Sequence, residues 1–295
     1  MSPRGEDLLG DDLPARLERL HLIAKQMAMG GRRGRRRAGG IGDGLEFADH
    51  RDYSPGDDPR FIDWSYYARM EKLLVRLFHT HSEAPVALLV DVSASMAAPQ
   101  PGKFIYALRT AAAMAYVAMG GLEQVVLLPF SDRLHRPLTT ARNRAEIPRV
   151  LEFLAGRSAR GRTDLLGCAE QFGRAYESTG TVLIISDLCD TEDTLSAALA
   201  RFGADRRDVA VIHVDQPPSH SPGPAVLTDA ESGGELLVDL TEGTVRATME
   251  RHQRWRAECE RICTARGALY VAAPTELAFE RLVLHCLVRA GVVGR

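Results

Sequence analysis

Short, almost wholly apolar runs recur along this chain, and each is followed by a stretch with helical spacing. The runs are PVALLV (85–90), QVVLLPF (124–130), TVLIIS (181–186), VAVIHV (209–214) and ALYVAA (268–273). The intervening segments include KFIYALRTAAAMAYVAM (103–119), RAEIPRVLEFLAG (144–156) and LLGCAEQFGRAYES (165–178). A strand that is apolar at every position is buried on both faces. Strands of that kind alternating with helices specify a parallel sheet with helices on either side. The expected fold class is therefore α/β, a doubly wound and mainly parallel sheet. Pro148 should make the second of these helices begin near Ile147. SDRLHRPL (131–138) reads as an edge hairpin, and AVLTDAESGGELLVDL (225–240) as a second hairpin. A charged helix over 242–266 precedes the last strand, and TELAFERLVLHCLVRAG supplies a final helix.

The region before residue 81 has a different character. Leu13, Leu17, Leu20, Ile23, Ala24 and Met27 share one face of a helix expected within residues 1–29. Residues 30–44 hold five arginines among glycines with no apolar period, which reads as a flexible basic loop. Residues 45–80 mix aromatic, charged and turn-forming residues, with SPGDDP (54–59) as a turn and LLVRLF (73–78) as a strand. This block is expected to form a small β-containing extension packed on the core, leaving 81–295 as the main domain.

Bulk properties narrow the function. Apolar residues make up 45% of the chain and charged residues 26%, the profile of a globular protein with a sizeable core. The formal net charge of −2 argues against a protein that coats nucleic acid. No apolar run is long enough for a membrane span, and the acidic N-terminus lacks a signal-peptide core, so a cytoplasmic address is expected. The five cysteines are irregularly spaced and do not suggest a disulfide framework. Cys259 and Cys263 lie one helical turn apart and read as a semi-buried helix face.

Carboxylates cluster at strand ends. Asp91, Asp132, Asp187 and Asp215 each stand at or just past the carboxyl end of an expected strand. Ligands of open parallel sheets bind beyond these ends, where strand order reverses. Asp91 ends the first strand of the rhythm, and Asp187 ends the strand expected beside it. Asp132 and Asp215 fall farther out and read as turn residues. After Asp91 the sequence DVSASM sets Ser93 and Ser95 at alternate positions. Thr163, in the loop before an apolar helix, suits a helix cap and could also face the same crevice. No G-x-S-x-G elbow or P-loop occurs. Two aspartates, two serines and a threonine make an all-oxygen set suited to a hard cation such as Mg²⁺ or Mn²⁺.

This set resembles the metal-ion-dependent adhesion site of von Willebrand factor A domains. That family carries D-x-S-x-S after its first strand, a Thr in a later loop and an Asp after its fourth strand. Here those places are Asp91, Ser93 and Ser95, then Thr163, then Asp187. The resemblance implies that the three hydroxyls contact the metal while the aspartates act largely through water. Neutral hydroxyls would leave the ion electron-poor, and an open octahedral position would favour a Glu or Asp from a partner, with the site allowed to be unloaded in the resting protein.

A second resemblance covers roughly residues 30–290. The block GDGLEFADHRDYSPGDDPRFIDWSYYARMEKLLVRLF (42–78) is similar to the signature of the bacterial family named domain of unknown function 58. Its members place this block ahead of a von Willebrand factor A-like domain. Association of that family with MoxR-type AAA+ ATPases implies a chaperone-like or remodelling role for a non-enzymatic module. Within the block, Asp57, Asp58, Arg60, Asp63 and Arg69 surround Trp64. They read as a salt-bridged packing layer with Trp64 as its anchor, or as a docking surface.

Two rival functions arise from the same residues. One is a Mg²⁺-dependent phosphatase or hydrolase using Asp91, for which no general acid is identifiable. The other is nucleic-acid binding through Arg32, Arg33, Arg35, Arg36 and Arg37, which lack the aromatic interleaving of a single-strand groove.

Overall fold

Alternate residues of each long strand face opposite helical layers, which is why the strand sequences are apolar throughout. A computed structural model describes residues 13, 15–20, 47–54, 57, 59–78, 84–97, 102–177, 179–189, 191–204, 207–218, 221–230 and 233–289. At 47–49, 60, 76–78 and 287–289 only the backbone is described. They fall into two compact units, one within Met1–Arg32 and Ala84–Arg295, the other within Arg33–Glu83.

In the larger unit the first strand is β3, Val86–Asp91, pairing in parallel with both β4, Val125–Phe130, and β6, Thr181–Ser186. The sheet continues through β7, Asp208–Asp215, to β10, Leu269–Pro274, again in parallel. At the other edge the two-residue β5, Leu138–Thr139, runs antiparallel to β4. The order is β10-β7-β6-β3-β4-β5. The chain thus winds outward in one direction through β4 and in the other through β6. The reversal lies between β3 and β6, the doubly wound arrangement expected from the strand rhythm.

Leu88 and Val90 point into one core with α3 (Gly102–Gly120), α4 (Ile147–Ala155) and α8 (Phe279–Arg289). Ala87 and Leu89 point into the other with α5 (Leu165–Ala175), α6 (Glu192–Phe202) and α7 (Glu242–Ala265). Cys259 and Cys263 are buried in this second core as free thiols, a fully rather than half-buried pair. Pro148 sits in the first turn of α4, where its missing N–H costs no helical bond.

The N-terminal helical residues, 15–20 (α1), belong to the same unit. Leu13, Leu17 and Leu20 are buried in the first core, as their spacing predicts, while Ile23, Ala24 and Met27 lie outside the described residues. Arg16 pairs with Glu280 of α8 and lies over the Phe279 ring, and the Tyr116 hydroxyl donates to Glu18 at 3.2 Å. The arginine-rich segment 30–44 lies outside the described residues. So does Asp58.

β8, Gly223–Thr228, and β9, Glu235–Leu240, form the expected hairpin. In the smaller unit β1, Phe47–Asp52, pairs antiparallel with β2, Leu74–Phe78, and α2, Trp64–Met70, lies between them in sequence. Among the described residues, no helix is long and apolar enough to cross a membrane.

Candidate metal centre at the sheet reversal

The parallel pairing of β3 with β6 sets their carboxyl ends side by side, and with them Asp91 and Asp187. Asp91 is the last residue of β3 and has no solvent exposure. Its Oδ1 accepts the Ser93 backbone N–H at 2.8 Å, the turn an Asp favours two residues on. Its Oδ2 accepts the Ser186 hydroxyl at 2.6 Å, a bond from β3 to β6. Ser93 and Ser95 lie Oγ to Oγ at 3.0 Å, and Ser95 Oγ donates to Asp187 Oδ1 at 3.3 Å. The D-x-S-x-S turn and Asp187 are therefore one hydrogen-bonded set. Burial and the neighbouring Asp187 charge push the Asp91 carboxyl up to about 7.

The turn after β6 is held tightly. Ser186 Oγ accepts the Leu188 N–H at 3.0 Å while donating to Asp91, and the Cys189 N–H donates to Asp187 Oδ1 at 3.3 Å. Leu188, buried, adopts a φ of 51°, a left-handed conformation that a side chain with a Cβ resists. The serine and aspartate bonds offset that strain and fix the direction of the Asp187 carboxylate.

The loop that carries Thr163 is held beside the serine turn through backbone bonds. The Arg160 N–H donates to the Val92 carbonyl at 2.8 Å and the Ala94 N–H to the Gly161 carbonyl at 2.9 Å. These two bonds clamp the 160–164 loop onto the serine turn. Gly161 has a φ of +81°, a left-handed conformation that glycine adopts without the strain a Cβ would bring. The capping role suggested for Thr163 belongs instead to Asp164, whose Oδ1 accepts the Gly167 N–H at 2.8 Å. The two residues are adjacent and both can cap; the helix begins one residue later than a Thr163 cap requires.

Other strand-end groups sort differently from their sequence reading. Asp132 is an exposed turn residue beside Arg133. Asp215 is not a turn residue. It is buried and paired with His252 Nε2 at 2.8 Å and Arg256 Nη1 at 3.3 Å, both from α7. His213 is buried with Nδ1 at 2.8 Å from the Tyr270 hydroxyl and hydrogen-bonds the Asp187 backbone; burial pushes its pKa down to about 4. The sequence reading missed Lys103, whose Nζ donates to Asp187 Oδ2 at 2.5 Å. Its signal was a cation opening an otherwise apolar helix.

The signature block lies in the other unit. Arg51 grips Asp57 through two bonds of 2.6 and 2.8 Å, holding its carboxyl below the usual range, and Asp57 Oδ2 also accepts the Ser54 N–H. Asp63 caps α2 by accepting the Tyr66 N–H at 2.9 Å and meets His50 Nε2 at 2.8 Å. Arg69 donates to the Ser65 carbonyl, and the Arg60 side chain lies outside the described residues. Trp64 is not a buried anchor. It is 57% exposed, with Tyr67 edge-on to it, while Ile62 at 4% and Val75 at 2% are buried. The helix α2 buries none of its residues, so an aromatic on it gains no core.

The family described as Protein of unknown function DUF58 matches residues 49–258. The chain belongs to it. Among similar proteins, Uncharacterized protein Rv1480 of Mycobacterium tuberculosis is 30% identical over 235 residues, 77% of this chain and 74% of that protein. Uncharacterized protein Mb1516 of Mycobacterium bovis matches with the same identity and coverage. Similar solved structures include the conserved hypothetical protein BatB of Bacteroides thetaiotaomicron, 16% identical with a TM-score of 0.42, covering 68% of this chain and 96% of that one. The SpRpn10 VWA domain, 12% identical, also has a TM-score of 0.42, covering 68% of this chain and 94% of that one. The DUF58 chain has the doubly wound, mainly parallel α/β fold class expected from its strand rhythm.

Proposed function

We propose that this DUF58 protein is a non-enzymatic, metal-dependent protein-interaction module. The observation that carries the reading is the joining of Asp91, Ser93, Ser95 and Asp187 into one hydrogen-bonded set at the strand-order reversal. Among the described residues, no group of three or more His, Cys, Asp and Glu side chains could hold a metal. A cation here would have to draw on hydroxyls as well as carboxylates, which favours a hard ion such as Mg²⁺ or Mn²⁺. The donor chemistry fits: Ser93, Ser95 and Thr163 would hold the ion, with Asp91 and Asp187 acting largely through water. When bound, such an ion supplies a positive, exchangeable position that a Glu or Asp of a partner can fill. Asp164 takes the helix-cap role, so the cap and the metal reading fall on different residues.

The partner in this reading is a MoxR-type AAA+ ATPase, and the setting is the cytoplasm. The hydrolase alternative needs a proton donor for a leaving group. The groups hydrogen-bonded to the Asp91 carboxylate are the amide and hydroxyl of Ser93 and the Ser186 hydroxyl, none suited to that task. The test is calorimetric titration with Mn²⁺ together with pull-down of a co-encoded AAA+ ATPase. Wild type should bind Mn²⁺ and capture the ATPase until EDTA is added, and Asp91→Ala should bind Mn²⁺ about 100-fold more weakly and capture none. Equal metal binding by both proteins would overturn the site. Phosphoester turnover that vanishes in Asp91→Ala would favour the hydrolase.

A further inference from the structure

Lys103 is the second residue of α3. Its charge sits on the first turn, where the exposed backbone N–H groups already carry partial positive charge. The helix end therefore disfavours a cation, yet the side chain is only 12% exposed and its ammonium lies 2.5 Å from Asp187 Oδ2. The ammonium stands at the end of a four-carbon side chain, which can swing away from Asp187 without any movement of the α3 backbone.

A divalent ion upsets the charge balance of this cluster. Ionised Asp91 and Asp187 together carry two negative charges, and Lys103 returns one. A divalent cation added to that unchanged cluster leaves one positive charge in excess, in a place where both carboxylates are buried. An uncompensated charge is costly there. Withdrawal of the Lys103 ammonium to solvent, with its stem still lying along the surface, restores neutrality.

We propose that Lys103 is a built-in counter-cation: its ammonium holds Asp187 when no metal is bound and leaves it when a divalent ion enters. Lys103 then sets the metal affinity, and metal loading delivers a positive charge to the surface at the first turn of α3. The proposal rests on the metal-site reading above and goes further by naming what competes with the ion.

Mn²⁺ titration of wild type and Lys103→Met tests it. Removing an ammonium that competes at contact distance should tighten Mn²⁺ binding by about tenfold or more. Lys103→Arg, which keeps the charge, should bind no tighter than wild type. A second measurement needs no variant. Acetylation of Lys103 by acetic anhydride, followed by peptide mass spectrometry, should be slow in EDTA and several-fold faster in saturating Mg²⁺, with Lys72 as internal reference. An unchanged Kd in folded Lys103→Met, or acetylation that Mg²⁺ does not alter, overturns the counter-cation and leaves the metal site standing. Absence of Mn²⁺ binding in both wild type and Lys103→Met overturns the site itself, and the proposal with it.

Discussion

The sheet end around Asp91 and the signature block around Trp64 draw on overlapping residue types and put them to opposite use. At the sheet end the charges are inside. Asp91 and Asp187 are 0% and 5% exposed, and each carboxylate has its donors assigned. In the signature unit the described charges are outside or at the margin, and Trp64 and Tyr67 are out with them. Met70 is exposed too, and among the described residues the unit's buried apolar side chains are the aliphatic Ile62 and Val75. Buried carboxylates held side by side carry a standing electrostatic cost, and the proposed metal site rests on that feature. Surface ion pairs such as Arg51–Asp57 contribute little to stability and mainly shape a turn. Density of charged and aromatic residues in a sequence therefore says little about burial. Their place relative to strand ends says more.

The largest effect expected from this contrast is on stability. Ile62→Ala should destabilise the signature unit by about 2–5 kcal/mol, whereas Trp64→Ala should stay within about 0.5 kcal/mol of wild type. Chemical denaturation of both variants measures this, and a large loss in Trp64→Ala would show that the exposed aromatic face is covered in solution. Next, Asp91→Ala should weaken Mn²⁺ binding by about 100-fold, the scale on which ligand-shell changes act. A titration curve superimposable on wild type would break the distinction between the two regions. A finer effect separates neighbours. Asp164→Ala should cost about 1 kcal/mol as a lost cap, with Mn²⁺ affinity nearly unchanged. Thr163→Ala should melt close to wild type, within about 0.5 kcal/mol, and bind Mn²⁺ about tenfold more weakly. The reverse pattern would return the cap to Thr163 and remove it from the metal centre.

The parts of the molecule legible in sequence are those where one physical demand dominates. Val86–Asp91, Val125–Phe130 and Thr181–Ser186 are buried on both faces, so their continuous apolar runs leave no alternative element. The D-x-S-x-S spacing was legible because Ser93 and Ser95 lie on one short turn. β1 was not, since FADHRD sits in a two-stranded sheet and charged residues interrupt its alternation. Asp215 could not be told from Asp132, because its partners His252 and Arg256 lie far along the chain on α7. Lys103 was missed for the same reason: its partner is 84 residues away.

The contact of α1 with α8 has a consequence for the time course of synthesis. Arg16 and Glu280 are 264 residues apart, and Leu13, Leu17 and Leu20 are buried in the same core as Phe279, Leu282 and Val283. On a ribosome adding about 5–20 residues each second, the early leucines wait on the order of tens of seconds for that surface to emerge. Throughout that interval the apolar stripe lacks the part of its native shelter that α8 supplies. A nascent chain stalled before residue 279 should be held by chaperones through this stripe, and release should come with completion of the last helix.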